Sequence, residues 1–417
     1  MKSLGVKRIA CVLFFALLLV NALSLFFRKP EANGVSGKAV IDLAKVYPFE
    51  EKQPAPPRRS LAQRLSSLIG KVDNACNRRT ALLDAYRYTY GLSARLLGKA
   101  RVEDLEEDVY RLDNGWLTYL TLPCEQETLD WAVENASELQ NFLAERDGRL
   151  LVVFPLAKDD ELMGQLPRGV TSYRNRNTKA ICAALDQRGI PCMDMAEESG
   201  LTGQAFYDMF FRTDHHFTHE TGFAMAAHIA EKIRALTGQV LDEACFDRAN
   251  YRARRYEGVF MGSQGRKVTR GYGASCEDLT VLTPTFETSF RLTDALTGTV
   301  REGNYEQTLL DQSMLTEEAF AAEKDLYRAF MWGDRPLKQV ENLLADNELR
   351  ILVIRDSKAA VITTFLACAI RYLDIIDSRH FQGSIQTFIQ QNPPDLVLVL
   401  LHSPGQDRGT ARQWRLK

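Results

Sequence analysis

The chain has 417 residues, which is long enough for one large domain or two. It is 45% hydrophobic and 25% charged, a composition typical of a globular protein. Its formal net charge of −2 excludes a general electrostatic attraction to nucleic acid. The sequence contains no P-loop, zinc-ribbon spacing or G-x-G-x-x-G fingerprint, so neither nucleic acid nor a nucleotide is an expected partner.

The first predicted element is a membrane anchor in residues 1–29. Residues 9–27 are almost entirely apolar and have basic residues on both flanks. This run of about 19 residues is close to the ~20 that span a bilayer as a helix. A cleaved signal peptide is the alternative, with cleavage near residues 20–22. The large soluble remainder favours a single anchor in the cell membrane, with the domain outside the cytoplasm.

Residues 30–60 are predicted to be a tether. The segment from Gln53 to Arg59 is rich in proline and charge, which is typical of an extended chain without a core. The globular region is expected to cover residues 61–405. Residues 406–417 are expected to form a polar, frayed tail.

Most of the globular region alternates between strand and helix patterns. A hairpin is expected at residues 108–117, because the Asn114-Gly115 pair favours a tight turn. Short apolar runs indicate buried parallel strands, and amphipathic stretches indicate helices. The predicted strands are residues 150–155, 189–195, 349–354, 372–377 and 395–401, and the predicted helices are residues 127–146, 179–188, 223–233, 359–370 and 383–391. The alternation predicts an α/β sandwich with a parallel sheet.

Residues from about 240 to 345 interrupt this rhythm. They contain Gly-rich turns, such as the one at residues 262–265, between segments of alternating hydrophobicity. The pattern predicts an antiparallel β segment inserted between two α/β halves.

Residues 210–223 hold three of the six histidines and directly precede a helix that Thr218 is expected to cap. Asp214 and His216 have a spacing that lets both side chains face one cleft. They could begin a metal site, but no second cluster of ligands accompanies them. They could equally be an acid–base pair, with His216 as general base oriented by Asp214. A polar loop with solvated histidines is the third interpretation.

The segment Thr213-Asp214-His215-His216-Phe217 resembles the T-D-x-H-W signature of the alginate O-acetyltransferase group. It resembles the bacterial DHHW family still more closely, although Phe217 stands where that family has Trp. The Gly-Ser-x-Gly-Arg segment of that family resembles residues 262–266, for which a surface hairpin is the alternative. Both families resemble SGNH hydrolases, in which Ser, His and Asp carry out acyl transfer. The resemblance therefore implies an SGNH-like three-layer sandwich and a nucleophilic serine.

Ser357 is the candidate nucleophile. It lies between the apolar strand at residues 349–354 and the following helix, where a hydroxyl can be exposed beside free backbone N–H groups. The resemblance places an Asp-Ser pair at this point. Lys358 and Ala359 depart from the family pattern, which has an aromatic residue and a Gly or Asn there. The alternative is that Ser357 is only the N-cap of the helix.

Three further residues are candidates for substrate binding. Arg379 follows the strand at residues 372–377, where it could bind an acyl carbonyl or a sugar carboxylate, or instead pair with Asp377 or Asp374. His215 and Arg212 flank Asp214 in the same segment. No metal and no cofactor is expected.

The eight cysteines form an irregular set, and Cys11 lies in the predicted anchor. Cys182, Cys192 and Cys368 lie on apolar faces and are expected to be core residues without bridges. The odd number outside the anchor argues against a disulfide framework.

The function implied by the resemblance is extracytoplasmic O-acyl transfer, with acetyl as the expected group and a cell-surface polysaccharide as the acceptor. Such proteins work with a polytopic membrane-bound O-acyltransferase (MBOAT). Ser357 would lose its proton to His216, which Asp214 orients, and an acyl-serine would form. The alternatives are a carbohydrate esterase with the same triad and a non-catalytic surface binding or scaffold protein.

Overall fold

The structure is a computed structural model and describes residues 40–49, 109–268, 276–315, 324–404 and 413–416. The predicted anchor at residues 9–27 and most of the predicted tether lie outside the described residues. Within the described part of the chain, no helix combines the length and the apolar character needed to cross a membrane.

The strands and helices are numbered here in chain order. The strands are β1 (Tyr110–Arg111), β2 (Leu117–Thr118), β3 (Arg149–Phe154), β4 (Cys192–Asp194), β5 (Tyr251–Phe260), β6 (Glu277–Pro284), β7 (Phe290–Asp294), β8 (Thr299–Gly303), β9 (Leu337–Asn342), β10 (Arg350–Arg355), β11 (Tyr372–Asp377) and β12 (Leu396–Leu400). The helices are α1 (Leu43–Val46), α2 (Gln126–Ala144), α3 (Arg174–Asp186), α4 (Met195–Ser199), α5 (Gly203–Tyr207), α6 (His219–Thr237), α7 (Ser263–Val268), α8 (Tyr305–Leu309), α9 (Ala360–Ala369) and α10 (Ile385–Gln391).

An eight-stranded sheet organises the described residues, with the strand order β4-β3-β12-β10-β11-β9-β7-β8. The first five strands in this order pair in parallel, as the apolar runs predict. Their carboxyl ends therefore meet at one edge of the sheet. The turn that follows β10 carries Ser357, and the turn that follows β11 carries Arg379.

Helices cover both faces of this sheet. Alternate residues of β10 face opposite ways: Ile351 and Val353 join one apolar core, whereas Leu352 and Ile354 join the other. The first core includes buried residues of α6 and α9, and the second includes residues of α2, α3 and α10. The predicted α/β sandwich with three layers is confirmed.

The predicted antiparallel segment is also present. β5 and β6 form a separate antiparallel pair, and β7 pairs antiparallel with both β8 and β9. Because β9 also pairs antiparallel with β11, these three strands extend the main sheet. The inserted strands thus share a sheet with the strand that precedes Arg379.

Residues 40–49 correct the predicted tether. Leu43 and Tyr47 are buried, and the Tyr47 ring packs against Phe388 at a centroid distance of 5.1 Å. The carbonyl of Tyr47 accepts from the Ser384 N–H at 2.8 Å. The prediction that residues 30–60 lack a core is therefore wrong for this segment, called the strap below. The prediction rested on the proline-rich residues that follow this segment, so it missed the two large apolar side chains that are buried.

The predicted polar tail is also corrected. Trp414 and Leu416 are fully buried, and the Trp414 ring stacks on Phe154 with centroids 5.7 Å apart. The Trp414 indole N–H donates to the carbonyl of His402 at 3.0 Å. Residues 413–416 therefore pack on the sheet because an indole and a leucine bury apolar area that their polar neighbours cannot.

The cysteine prediction is wrong for one pair. Cys182 on α3 and Cys192 on β4 form a disulfide, with their Cα atoms 5.7 Å apart. The helix and the strand are joined by a short turn, which places the two side chains side by side. Cys368 is a buried free thiol, as predicted.

Candidate active site

The nucleophile turn comprises Asp356 and Ser357, directly after β10. A short 3-10 helix, Ser357–Ala359, leads into α9. Asp356 is the N-cap of that helix, because its carboxylate accepts from the Lys358 N–H at 3.0 Å. The alternative that Ser357 is the N-cap is therefore wrong. The Ser357 hydroxyl is free to contact other groups.

Three side chains from two distant segments meet at this turn. His216 Nε2 lies 3.0 Å from Ser357 Oγ, and His216 Nδ1 lies 2.6 Å from Asp214 Oδ1. Because an ionised carboxylate can only accept, Nδ1 carries the proton and Nε2 offers a lone pair to the serine hydroxyl. The arrangement matches the contacts that a serine nucleophile, a base and an orienting acid require.

Asp214 is buried yet ionised. Burial alone would raise its pKa, but His216 and His215 hold the pKa well below its usual range. Asp214 Oδ1 also accepts from the His216 N–H at 3.0 Å, and Oδ2 accepts from the Ser263 N–H at 2.5 Å. The carboxylate is therefore fixed on both oxygens and keeps its charge at neutral pH.

The inserted segment fixes the loop that carries Asp214. Glu277 at the start of β6 accepts from the Thr213 N–H at 2.9 Å and from the Arg212 N–H at 2.7 Å. A Cβ on Gly262 would lie 2.1 Å from the Cβ of Asp214, so only glycine fits there. Residues 263–268 form α7, so the surface-hairpin alternative for the Gly-Ser-x-Gly-Arg segment is wrong.

The His216 ring is held between two other rings. Tyr327 stacks on it with centroids 3.8 Å apart and an interplanar angle of 16°. His215 lies at 3.9 Å with an angle of 38°. Tyr327 is anchored in turn, because its hydroxyl donates to the Lys358 carbonyl at 3.1 Å. These contacts fix the imidazole plane that points at Ser357.

The tentative substrate-binding residues have different surroundings. His215 lies beside His216, and its Nδ1 is 3.1 Å from both Ser263 Oγ and Asp214 Oδ1. The Arg212 side chain is about half exposed, with Nε 3.8 Å from Glu277. Arg379 pairs through two nitrogens with Asp377, at 2.9 and 2.7 Å, which is one of the two alternatives that the sequence left open. Their roles toward substrate stay predictions.

A buried network of ion pairs contacts the nucleophile turn at the end of β10. Arg355, the last residue of β10, is fully buried and donates to the Asp356 carbonyl at 2.8 Å. The same nitrogen contacts Asp334 at 3.0 Å, and Arg379 contacts Asp334 at 2.9 Å. Asp334 and Asp377 thus hold the Arg355 guanidinium against the peptide bond before Ser357, and Arg379 pairs with the same two carboxylates.

Two buried lysines tie the loop after β3 to the site. Lys158 Nζ donates to the carbonyl of Phe211 at 2.9 Å, and Lys358 Nζ donates to the carbonyl of Leu156 at 3.0 Å. Burial lowers the pKa of Lys158 to about 7 and that of Lys358 to about 8. Lys358, which departs from the family pattern, therefore braces the turn from a buried position.

Among the residues that the structure describes, two groups have the spacing of metal ligands: Asp214, His215 and His216 form the first, and Asp334, Asp377 and His380 form the second. In the first group the carboxylate and the two Nδ1 atoms already contact one another. In the second, both carboxylates contact arginines. Neither group presents an open set of ligands that fits a metal.

Sequence reasoning did not single out Glu277, Tyr327, Lys158 or Arg355. Arg355 and Lys158 carried a signal, because each is a cation at or just after the end of an apolar strand. Glu277 and Tyr327 lie in the inserted region, where the strand and helix patterns of the sequence are weakest. Only tertiary contacts connect them to the site.

Comparisons with known proteins agree with this fold. Residues 113–313, which include Asp214 and His216 but end before Ser357, match the family model of the SGNH hydrolase-like domain of the acetyltransferase AlgX. Bacillus cereus PatB1, solved with a sulfonyl adduct, is 22% identical with a TM-score of 0.61, over 74% of this chain and 98% of that one. A DHHW family protein from Eubacterium siraeum is 16% identical with a TM-score of 0.52, over 72% of this chain and 91% of that one.

At these identities the solved structures establish the fold. No curated protein sequence matches the chain. The matched family model describes the domain of an acetyltransferase. The resemblance predicted from the Asp-His segment is thus confirmed: residues 113–313 are similar to the SGNH hydrolase-like domain of the acetyltransferase AlgX.

Proposed function

We propose that this protein is an extracytoplasmic O-acetyltransferase that acetylates a cell-surface polysaccharide through an acetyl-Ser357 intermediate. The observation that carries the proposal is the chain of contacts from Ser357 Oγ through His216 to Asp214. The acetyltransferase type of the matched domain supports the choice of acyl group. An ordered triad also argues against a scaffold protein whose triad has decayed.

The first half-reaction forms the acyl-enzyme. His216 Nε2 takes the proton of Ser357 as Oγ attacks the acetyl carbonyl of the donor, and Asp214 stabilises the resulting imidazolium. The Ser357 N–H has no hydrogen-bond partner among the described residues, which leaves it available for the oxyanion. His216 then protonates the leaving group. The donor acetyl now forms an ester with Ser357.

The second half-reaction transfers the acetyl group. An acceptor hydroxyl gives its proton to His216 Nε2 and attacks the acetyl carbon, and the bond to Ser357 Oγ breaks. Water would give hydrolysis by the same route. A carbohydrate esterase and a transferase therefore share the triad and differ in what reaches the acyl-enzyme.

The apolar N-terminal run supports the proposed location, and the family resemblance supports the proposed partner. The apolar run at residues 9–27 supports a single anchor in the cell membrane with the domain outside. An MBOAT would deliver the acetyl group across that membrane. Protease added to intact cells should digest the domain. A domain that stays fully protected would contradict this placement.

The deciding experiment offers purified protein a chromogenic acetyl ester with and without an oligosaccharide acceptor. We expect faster transfer to the acceptor than to water, and Ser357→Ala should abolish both. Hydrolysis alone, whatever acceptor is offered, would favour the esterase. A sulfonyl fluoride should also label Ser357, since a sulfonyl adduct is present on PatB1 in a related fold.

A further inference from the structure

Two adjacent histidines present the same edge to the same carboxylate oxygen. The Nδ1 atoms of His215 and His216 lie 3.1 and 2.6 Å from Asp214 Oδ1, and the ring centroids are 3.9 Å apart. Because both rings direct Nδ1 toward one oxygen, the edges that carry Nε2 project away from Asp214 side by side. His216 Nε2 meets Ser357 Oγ on that side. The His215 ring therefore lies next to the ring of the base that contacts Ser357.

The Asp214 carboxylate favours one tautomer of His215. Its Nδ1 lies 3.1 Å from Ser263 Oγ, which can donate or accept, and 3.1 Å from Asp214 Oδ1, which can only accept. A proton on Nδ1 suits both oxygens and leaves a lone pair on Nε2. Burial and the neighbouring His216 lower the pKa of His215 to about 3, so the ring stays neutral at physiological pH. Among the described residues, Nε2 has no hydrogen-bond partner.

His215 is also the more accessible ring of the two. Its side chain is 23% exposed, against 7% for His216. The site therefore offers an incoming acceptor two adjacent imidazole rings. One serves the reaction, and the other has no task in the chemistry of Ser357.

We propose that His215 Nε2 accepts a hydrogen bond from a second hydroxyl of the acceptor, so that the site selects vicinal diols. This inference rests on the proposed transferase function and names its acceptor class. The attacking hydroxyl loses its proton to His216 Nε2 while its oxygen bonds to the acetyl carbon. The bond from that carbon to Ser357 Oγ breaks, and the proton passes from His216 to Oγ. The neighbouring hydroxyl donates to His215 and is not consumed.

The geometry suits adjacent hydroxyls of one sugar ring. Their oxygens lie within hydrogen-bonding separation of each other, which is compatible with rings whose centroids are 3.9 Å apart. A single water molecule or a monohydric alcohol fills only one of the two positions. A diol bound across both would be held with one oxygen facing the acetyl carbon.

The test compares cis-1,2-cyclohexanediol with cyclohexanol as acceptors. The measured quantity is the rate of acetyl transfer from a chromogenic acetyl ester, divided by the number of hydroxyls on the acceptor. Loss of one hydrogen bond changes such a rate by roughly fivefold. We expect the full-length wild-type protein to prefer the diol by about that factor. The ratio is taken within each variant, so a general loss of activity cancels.

Two substitutions separate the two nitrogens of His215. His215→Asn places an amide where Nδ1 was and nothing where Nε2 was, so the diol preference should vanish. His215→Gln extends an amide oxygen toward the Nε2 position, so part of the preference should return. Retention of the full preference by His215→Asn, or transfer by the wild type without any preference, overturns this inference alone. Absence of any transfer by the wild type overturns the proposed function as well.

Discussion

The Arg355 guanidinium donates to the carbonyl oxygen of Asp356 at 2.8 Å, and that carbonyl belongs to the peptide bond whose N–H is that of Ser357. A cation on the oxygen of a peptide strengthens its N–H as a donor, because the two ends of the amide polarise together. A fully buried arginine thus acts on the N–H group that we propose as the oxyanion donor.

The first prediction concerns this arginine. Arg355→Met removes the cation and leaves Asp334 and Asp377 with fewer partners, so kcat should fall by at least about tenfold and stability by about 3–5 kcal/mol. Steady-state rates and urea unfolding measure the two effects.

Lys338→Met is the matched control. Lys338 is also fully buried and shares the Gly333 carbonyl with Arg355, but it does not touch the nucleophile peptide. We expect this variant to lose stability but to keep its kcat within about threefold, since the hydrogen bond from Arg355 to the Asp356 carbonyl does not involve Lys338. Equal loss of kcat in both variants would mean that Arg355 contributes only to stability.

A second prediction concerns the orienting acid. Asp214→Asn should lower kcat by about 10³-fold or more, because the amide no longer fixes the tautomer that presents a lone pair to Ser357. Some activity should remain, since the imidazole ring is still present. Asp208→Asn, an exposed substitution on the same stretch, should leave kcat unchanged. An Asp214→Asn variant as active as Asp208→Asn would refute the assigned role.

A third prediction concerns pH and stability. Burial lowers the pKa of His219 from 6.5 to about 3, so the folded state resists a proton that the unfolded chain binds. Stability should therefore be full above pH 6.5 and fall as pH drops from there toward 3, by up to about 1.4 kcal/mol per pH unit for this residue.

His219→Gln checks the assignment. Urea unfolding at several pH values between 4 and 7 should give a shallower slope for the variant than for the wild type. His215 titrates in the same window and is retained in both proteins, so it serves as a common background. Parallel slopes would show that His219 is not the group responsible.

The sequence predicted those parts of the fold and the site that depend on local sequence patterns. Apolar runs located the parallel strands, and the Asp-x-His spacing located two groups that now lie beside Ser357. It did not predict that Tyr327 would stack on His216 or that Glu277 would hold the Asp214 loop. Those contacts join segments more than 60 residues apart, as the separation of 64 between Thr213 and Glu277 shows. The local periodicity of a sequence does not predict which distant side chains will contact one another in the fold.

The strap and the Cys182–Cys192 disulfide were missed for a related reason. Composition averaged over residues 30–60 hid two side chains, Leu43 and Tyr47, whose burial decides where the segment lies. The cysteines were judged by number and parity, whereas their bonding depends on a helix and a strand being placed side by side. In both cases the structure depends on two particular side chains, whereas the prediction rested on an average property of many residues.

A fourth prediction follows for the strap. Tyr47→Ala should lower the free energy of unfolding by about 3 kcal/mol, because it empties the space between Phe381 and Phe388. Val46→Ala, at an exposed position of the same helix, should cost less than about 0.5 kcal/mol. Thermal or urea unfolding measures both. Similar small losses would indicate that the strap does not pack on the domain in solution.

The central claim is that Ser357 carries the acetyl group between donor and acceptor. Its most direct test is rapid-quench mass spectrometry after mixing the protein with a chromogenic acetyl ester. The account predicts an acetyl group on the peptide that contains Ser357, formed in the first turnover and lost faster when an oligosaccharide acceptor is present. No acetylated Ser357, or a loss rate that does not change with acceptor concentration, would contradict it.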